Sequence, residues 1–109
     1  MRLVIAVVQD KDSYRLSDRL VKQGFRATKL ASTGGFLKAG NTTFLIGVEE
    51  SQVDEVLAVI KESCQARQQT VSPMTGMASQ GESYMPYPVS VQVGGATVFV
   101  VDVAQFAQY

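Results

Sequence analysis

Residues 35 to 42 read Gly-Phe-Leu-Lys-Ala-Gly-Asn-Thr, a glycine-spaced stretch with the look of a phosphate cradle. Two glycines separated by four residues and followed by lysine and a hydroxyl form the P-loop, whose backbone N–H groups and lysine hold nucleotide phosphates. Here Asn41 stands where the lysine must be. A P-loop also opens directly into a helix whose N-terminus meets the phosphates, whereas the strand-like TTFLIGVEE follows at residues 42 to 50. The ATPase reading fails on both counts. The same residue types suit a nucleotide that is bound and not cleaved. Gly34 and Gly35 permit close backbone approach, Phe36 and Leu37 offer apolar surface to a flat ring, and the Asn41 amide presents donor and acceptor to a base edge. Arg26 and Lys29, just upstream, could neutralise a phosphate. In the competing reading Phe36 and Leu37 plug a wide turn against the body while Arg26 sits in solvent, and residue types alone do not separate the two.

Other candidate chemistry is sparse. The chain has no histidine, so the usual proton shuttle at neutral pH and the commonest metal ligand are both missing. Cys64 falls on the apolar side of a helical pattern and reads as a buried, inert thiol. Glu49 and Glu50 are adjacent at a strand end, where neighbouring side chains point to opposite faces, so they chelate a cation poorly. Asp10 and Asp12 read as helix-capping groups. Tyr84 and Tyr87 either stack on a ligand or pin a loop to the body. No metal, cofactor or catalytic group is expected.

Positioning any of these groups requires a scaffold, and the composition is that of one globular domain: 109 residues, 46% hydrophobic and 18% charged. Ten basic and ten acidic residues leave no net charge and there is no basic block, which argues against a nucleic-acid polymer as partner. No apolar run approaches the roughly 20 residues needed to cross a bilayer, so no membrane insertion is expected. A single cysteine is compatible with a cytoplasmic location. The N-terminal run 2 to 9 reads as a first strand and not as a signal peptide. Leu16, Leu20 and Val21 recur at helical spacing up to Gly24, which is placed like a helix-ending residue in the left-handed conformation. Residues 25 to 32 and 42 to 50 read as strands. A second helix opens on a near capping box, Ser51 with Asp54, and carries Val53, Val56, Leu57, Ile60 and Cys64 on one face.

The stretch from 67 to 87 has neither helical nor strand periodicity and predicts a long mobile loop, since unstructured connections beyond about 12 to 15 residues are usually functional or disordered. After it, two alternating runs flank Gly94-Gly95, the signature of a tight two-residue hairpin. The order of elements predicts an α+β domain over 1–109. It is a ferredoxin-like βαββαβ sandwich, an antiparallel sheet with two helices on one face plus a C-terminal hairpin.

FRATKLASTGGFLKAGNTTFLIGVE at 25 to 49, SPM at 72 to 74, SYMPYPV at 83 to 89 and VGGATVFV at 93 to 100 together resemble the PII-like cyclic-di-AMP receptor proteins of Gram-positive bacteria. The resemblance covers the whole chain. It implies a PII-like homotrimer that binds cyclic-di-AMP in clefts between subunits, signals to an unidentified protein target and performs no catalysis. It implies a short loop at 33 to 41, a long flexible loop at 67 to 87, and a ligand site built from Arg26, Ala27, Thr28, Gly35, Phe36, Leu37, Asn41, Gly47 and Gln108. In that site Phe36 and Leu37 sandwich an adenine, Asn41 reads the base edge, Thr28 and backbone N–H groups meet phosphate oxygens, and Arg26 either pairs with phosphate or stacks. Gly47 leaves room for the ligand along its strand. Gly24 stands where this family commonly has asparagine. The alternatives are a PII-type sensor of ATP or ADP, a small cofactor-free ferredoxin-like enzyme, and a structural trimeric adaptor.

Overall fold

A computed structural model describes residues 1–31, 40–71 and 89–109. The chain runs β1 (Arg2–Gln9), α1 (Asp10–Lys22), β2 (Ala27–Ala31), β3 (Asn41–Val48), a 3-10 turn (Glu50–Gln52), α2 (Val53–Cys64), β4 (Arg67–Val71), β5 (Val89–Val93) and β6 (Ala96–Asp102). Four strands form one antiparallel sheet in the order β2-β3-β1-β6. With a helix after the first and third of them, this order is compatible with a ferredoxin-like fold.

Alternation along β1 decides which face is covered. Val4, Ala6 and Val8 are buried, and their register partners on β3, Ile46 and Phe44, are buried with them. Onto this face pack Leu16 and Leu20 of α1 and Val56, Val59, Ile60 and Cys64 of α2. The expected apolar face of α2 is therefore the core face, with Val53 and Leu57 partly buried at its margin. The other face of the sheet carries Leu3, Ile5 and Leu45, together with Leu30, Phe99 and Val101, which are exposed. The two helices leave it uncovered.

Gly24 ends α1 as its position predicts. Its φ is +86°, its N–H donates to Val21 O at 3.0 Å, and the Phe25 N–H reaches back to Leu20 O at 2.9 Å. Those two bonds are a Schellman motif, and the buried pair Leu20 and Phe25 supplies the apolar contact that accompanies it.

Several expectations are corrected. Among the described residues the second strand begins at 27 and not at 25, and the third occupies 41–48 and not 42–50; residue 32 lies outside the described residues. The capping box lies two residues earlier than Ser51 and Asp54: Glu49 N–H donates to Gln52 Oε1 at 3.1 Å, so a 3-10 turn precedes the helix. Asp10 and Asp12 do not cap α1, whose N-cap is Gln9 without a side-chain bond. The Asp10 carboxylate accepts a hydrogen bond from the Thr42 hydroxyl, and Asp12 is buried. Val21 faces outward instead of joining Leu16 and Leu20.

The C-terminal hairpin is not formed. β5 pairs with β4 in a separate two-stranded ribbon, while β6 pairs with β1. The first five residues assigned to the long loop, Arg67–Val71, are thus a strand. The remainder of that loop, including Tyr84 and Tyr87, lies outside the described residues. Gly94 and Gly95 do take positive φ, +81° and +104°, as a primed hairpin turn would need. They use it to turn a corner between sheets. Gly94 N–H donates to Gln9 Oε1 at 2.8 Å, and Gly95 N–H donates to the Cys64 carbonyl. A β-carbon on Gly94 would lie 2.8 Å from the Gln65 carbonyl oxygen, so the corner excludes any larger residue.

Beside this corner sits a buried ion cluster. The Asp12 carboxylate, 1% exposed, accepts hydrogen bonds from Arg15 Nη2 at 3.1 Å and Arg67 Nη2 at 2.9 Å. Arg15 also donates to the Ser63 carbonyl at 2.9 Å. One carboxylate thereby ties α1, the end of α2 and the root of the ribbon. Truncating one member of a buried pair typically costs about 3–5 kcal/mol. Here both guanidinium groups are partly in water and can rehydrate, which lowers the figure. Asp12→Ala is expected to reduce unfolding free energy by roughly 2–4 kcal/mol in urea titration. Asp18→Ala, which removes only an exposed pair with Lys22, should change it by less than about 1 kcal/mol.

Candidate functional site

A groove of about 960 Å³ opens where β2 begins, β3 ends and the C-terminal segment passes. The Schellman turn fixes its first wall, placing Gly24 at the lip and sending Arg26, Ala27 and Thr28 along it. Register fixes the next. Thr28 lies opposite Leu45, and Gly47 lies opposite Leu3, so the hydroxyl and the bare glycine stand among apolar neighbours. The third wall is Val103, Phe106 and Gln108, held to the sheet by Val103 N–H donating to Met1 O at 3.2 Å.

Five of the predicted site residues, Arg26, Ala27, Thr28, Gly47 and Gln108, therefore meet in one groove. Gly35, Phe36 and Leu37 lie outside the described residues. Asn41 is elsewhere in this chain: it pairs with Gln9 at the opposite end of β3 and lines a smaller cleft of about 350 Å³ beside Gly94 and Gly95. Lys29 is also away from the groove. It points to the helix-covered face, with Nζ 5.8 Å from the centre of the Phe44 ring. Arg26 is the cationic side chain that lines the groove among its described residues. A mostly apolar trough bordered by one guanidinium, a hydroxyl and an amide suits a flat ring joined to an anion.

Sequence reasoning missed Leu3, Val21, Phe25, Leu45, Val103 and Phe106 as lining residues. Val21 has a visible signal in retrospect, since a valine one residue beyond Leu20 turns off the core face of α1. Phe106 has one too, an aromatic in a tail with no periodicity. The departure at Gly24 also becomes physical. At φ +86° glycine is the easiest residue and asparagine the next, so the backbone admits either, and here the groove lacks the amide that asparagine would add.

Cys64 offers no nucleophile. Burial pushes its thiol up to about 11, the Asp12 carboxylate adds to the rise, and Arg15 and Arg67 offset part of it. It is protonated at neutral pH. Among the described residues no cluster of three or more carboxylate or thiol groups could hold a metal ion. No helix among them is long and apolar enough to cross a membrane.

The class defined by this fold and groove is a small α+β ligand-binding protein. The chain belongs to the cyclic-di-AMP receptor family, whose model matches residues 1–109. It is also similar to a crystal structure of a functionally unknown protein from Pediococcus pentosaceus ATCC 25745, with 50% sequence identity, a TM-score of 0.78, and coverage of 99% of this chain and 96% of that one.

Gly47 gives the sharpest test of the groove. Its φ lies outside the left-handed region and an added β-carbon would meet nothing within 4 Å, so nothing inside the chain requires glycine there. A branched residue at this strand position should keep or slightly raise stability. Gly47→Val is expected to leave the melting temperature within a few degrees of the parent while weakening cyclic-di-AMP at least about tenfold, roughly 1.4 kcal/mol. Undiminished affinity would place the ligand away from β3.

Proposed function

We propose that the protein is a non-catalytic signal-transduction receptor that binds cyclic-di-AMP at the subunit interfaces of a homotrimer. Binding then changes loop conformation and so what is shown to a protein target. The observation that carries this reading is the meeting of Arg26, Ala27, Thr28, Gly47 and Gln108 in one groove, in a chain of the cyclic-di-AMP receptor family.

The placement of Asn41 supports a site shared between chains. From Asn41 to Gly47 is six strand residues, roughly 20 Å at about 3.3 Å each. The connector bearing Phe36 and Leu37 leaves β2 and enters β3 at the Asn41 end as well. One ligand touched by both groups must then lie between two copies, with the groove from one and the glycine connector from the other. The uncovered sheet face favours the same assembly. Leu30, Phe99 and Val101 are each at least 40% exposed there, beside Leu3, Ile5 and Leu45, and a contiguous apolar face of this kind marks an interaction surface.

The roles follow from chemistry. Arg26 and Thr28 meet a phosphate, Phe36 and Leu37 hold an adenine, Asn41 takes its edge, and Gly47 gives the macrocycle room. Ligand binding acts as a switch only through different affinity for two loop arrangements, which is how the messenger selects the signalling one. The reading places the protein in the cytoplasm and needs no cofactor or metal.

Isothermal titration against cyclic-di-AMP, cyclic-di-GMP, ATP and AMP tests it, with light scattering on the same sample. Saturable heat with cyclic-di-AMP alone, near one ligand per chain in a particle of three chains, is the expected result. Phe36→Ala should weaken it by roughly 1–3 kcal/mol without dissociating the particle. Preference for ATP would make it an energy-charge sensor, and no heat with any of the four would overturn the receptor reading.

A further inference from the structure

The first residue of α1 is an exposed aspartate that does not cap its own helix. Asp10 reaches across to the start of β3 with two of its polar groups. Its backbone N–H donates to the Gly40 carbonyl at 2.9 Å, and its carboxylate accepts the Thr42 hydroxyl. The residue between those two contacts is Asn41. Gly40 takes φ +91°, and glycine has the widest choice of dihedrals of any residue, so on its own it holds the start of the strand loosely. The two bonds to Asp10 remove that freedom on either side of Asn41.

Alternation shows what the clamp sets. Thr42 stands opposite Val8 on the helix-covered face and is 6% exposed, so its neighbour Asn41, opposite Gln9, is turned to the uncovered face. A strand end that slipped by one residue would exchange those faces. The clamp also has a fixed base, because the preceding residue Gln9 is held by the Gly94 N–H at 2.8 Å. We propose that Asp10 is a positioning residue for Asn41: through Gly40 and Thr42 it sets the face on which the Asn41 amide is presented to the ligand, without touching the ligand itself. This rests on the receptor reading above. The rival role for an acid in the first helical turn is to meet the positive end of the helix dipole, and that role has no use for Thr42.

The experiment titrates cyclic-di-AMP into the full-length wild type, Thr42→Val, Asp10→Ala, Asp10→Asn, Asn41→Ala and the double variant of Asn41→Ala with Thr42→Val, with the melting temperature of each recorded without ligand. Thr42→Val keeps the branched shape, deletes the donor and leaves Asp10 at the helix end. Losing one charge-assisted bond lowers the population of the set arrangement, so Thr42→Val and Asp10→Ala are each expected to weaken binding by roughly 3- to 30-fold. Asp10→Asn keeps an acceptor oxygen for the hydroxyl and should stay within about threefold of wild type. With the Asn41 amide gone there is nothing left to position, so adding Thr42→Val to Asn41→Ala should weaken binding by less than about twofold. A full further loss on that background overturns the proposal, since Thr42 would then act on the site by another route. So does wild-type affinity in Thr42→Val, and so does an equal loss in Asp10→Asn and Asp10→Ala, which would make the charge at the helix end the operative feature. Should Thr42→Val melt more than a few degrees below wild type, Asp10→Ala, at an exposed position, takes its place in the comparison. Should Asn41→Ala bind too weakly to titrate, the Asn41 side-chain amide resonances of the ligand-free protein decide. They should shift in Asp10→Ala and return towards the wild-type position in Asp10→Asn, and unmoved resonances overturn the proposal. Failure of the wild type to bind is a separate result: it removes the receptor reading and this proposal with it.

Discussion

A carboxylate that is 1% exposed must be neutralised where it stands, and Asp12 is neutralised by two arginines from different parts of the fold. Arg15 is one helical turn away on α1, while Arg67 opens β4, 55 residues later in sequence. The demand of one buried charge therefore dictates where the chain goes after α2. With Arg67 held, β4 leaves the body beside α1, where Lys11 donates to Gln69, and β5 pairs antiparallel with it. The corner at Gly94 and Gly95 is then forced, with Gln9 and the Cys64 carbonyl accepting the two amide hydrogens that the turn would otherwise strand. The raised thiol pKa of Cys64 is a by-product of the same crowding, since burial and the Asp12 charge both oppose its ionisation.

The groove depends on a different constraint, the left-handed residue at the end of α1. Because Gly24 turns the chain sharply, Arg26, Ala27 and Thr28 enter the sheet beside the last residues of β3 and not beside the first. That polarity separates the two halves of the predicted site. Residues near the β2 start and β3 end share the groove, and Asn41, at the start of β3, lies at the opposite end of that strand. An antiparallel pair cannot bring both to one place within a single chain. The uncovered sheet face beside the groove carries Leu30, Phe99 and Val101, each at least 40% exposed.

What was legible in the sequence is what local physics controls. The first strand at residues 2 to 9, the apolar stripe of α2 and the helix-ending glycine each depend on near neighbours, and each stands as expected. The strand pairing of β5 did not, because Gly94-Gly95 specifies two positive φ values and says nothing about which strands they separate. A hairpin and a sheet-to-sheet corner use the same dihedrals. The partner was decided by Arg67 and Gln9, residues too distant in sequence to enter a turn argument. Similarly, Gln68, Gln69 and Thr70 read as loop because their side chains are polar, and in the ribbon all three are exposed.

The site divides along the same line. Arg26, Ala27, Thr28, Gly47 and Gln108 were named through resemblance, and periodicity alone would not have joined a tail glutamine to a strand glycine. Their meeting in one groove is a consequence of register: Gly47 opposite Leu3 on β1, and Leu3 opposite Val101 near the end of β6, from which the tail departs. Chain ends are the parts that pattern arguments describe least, since they have neither a period nor a second flanking element. Here that blind spot coincides with one wall of the groove, on which Phe106 stands 63% exposed.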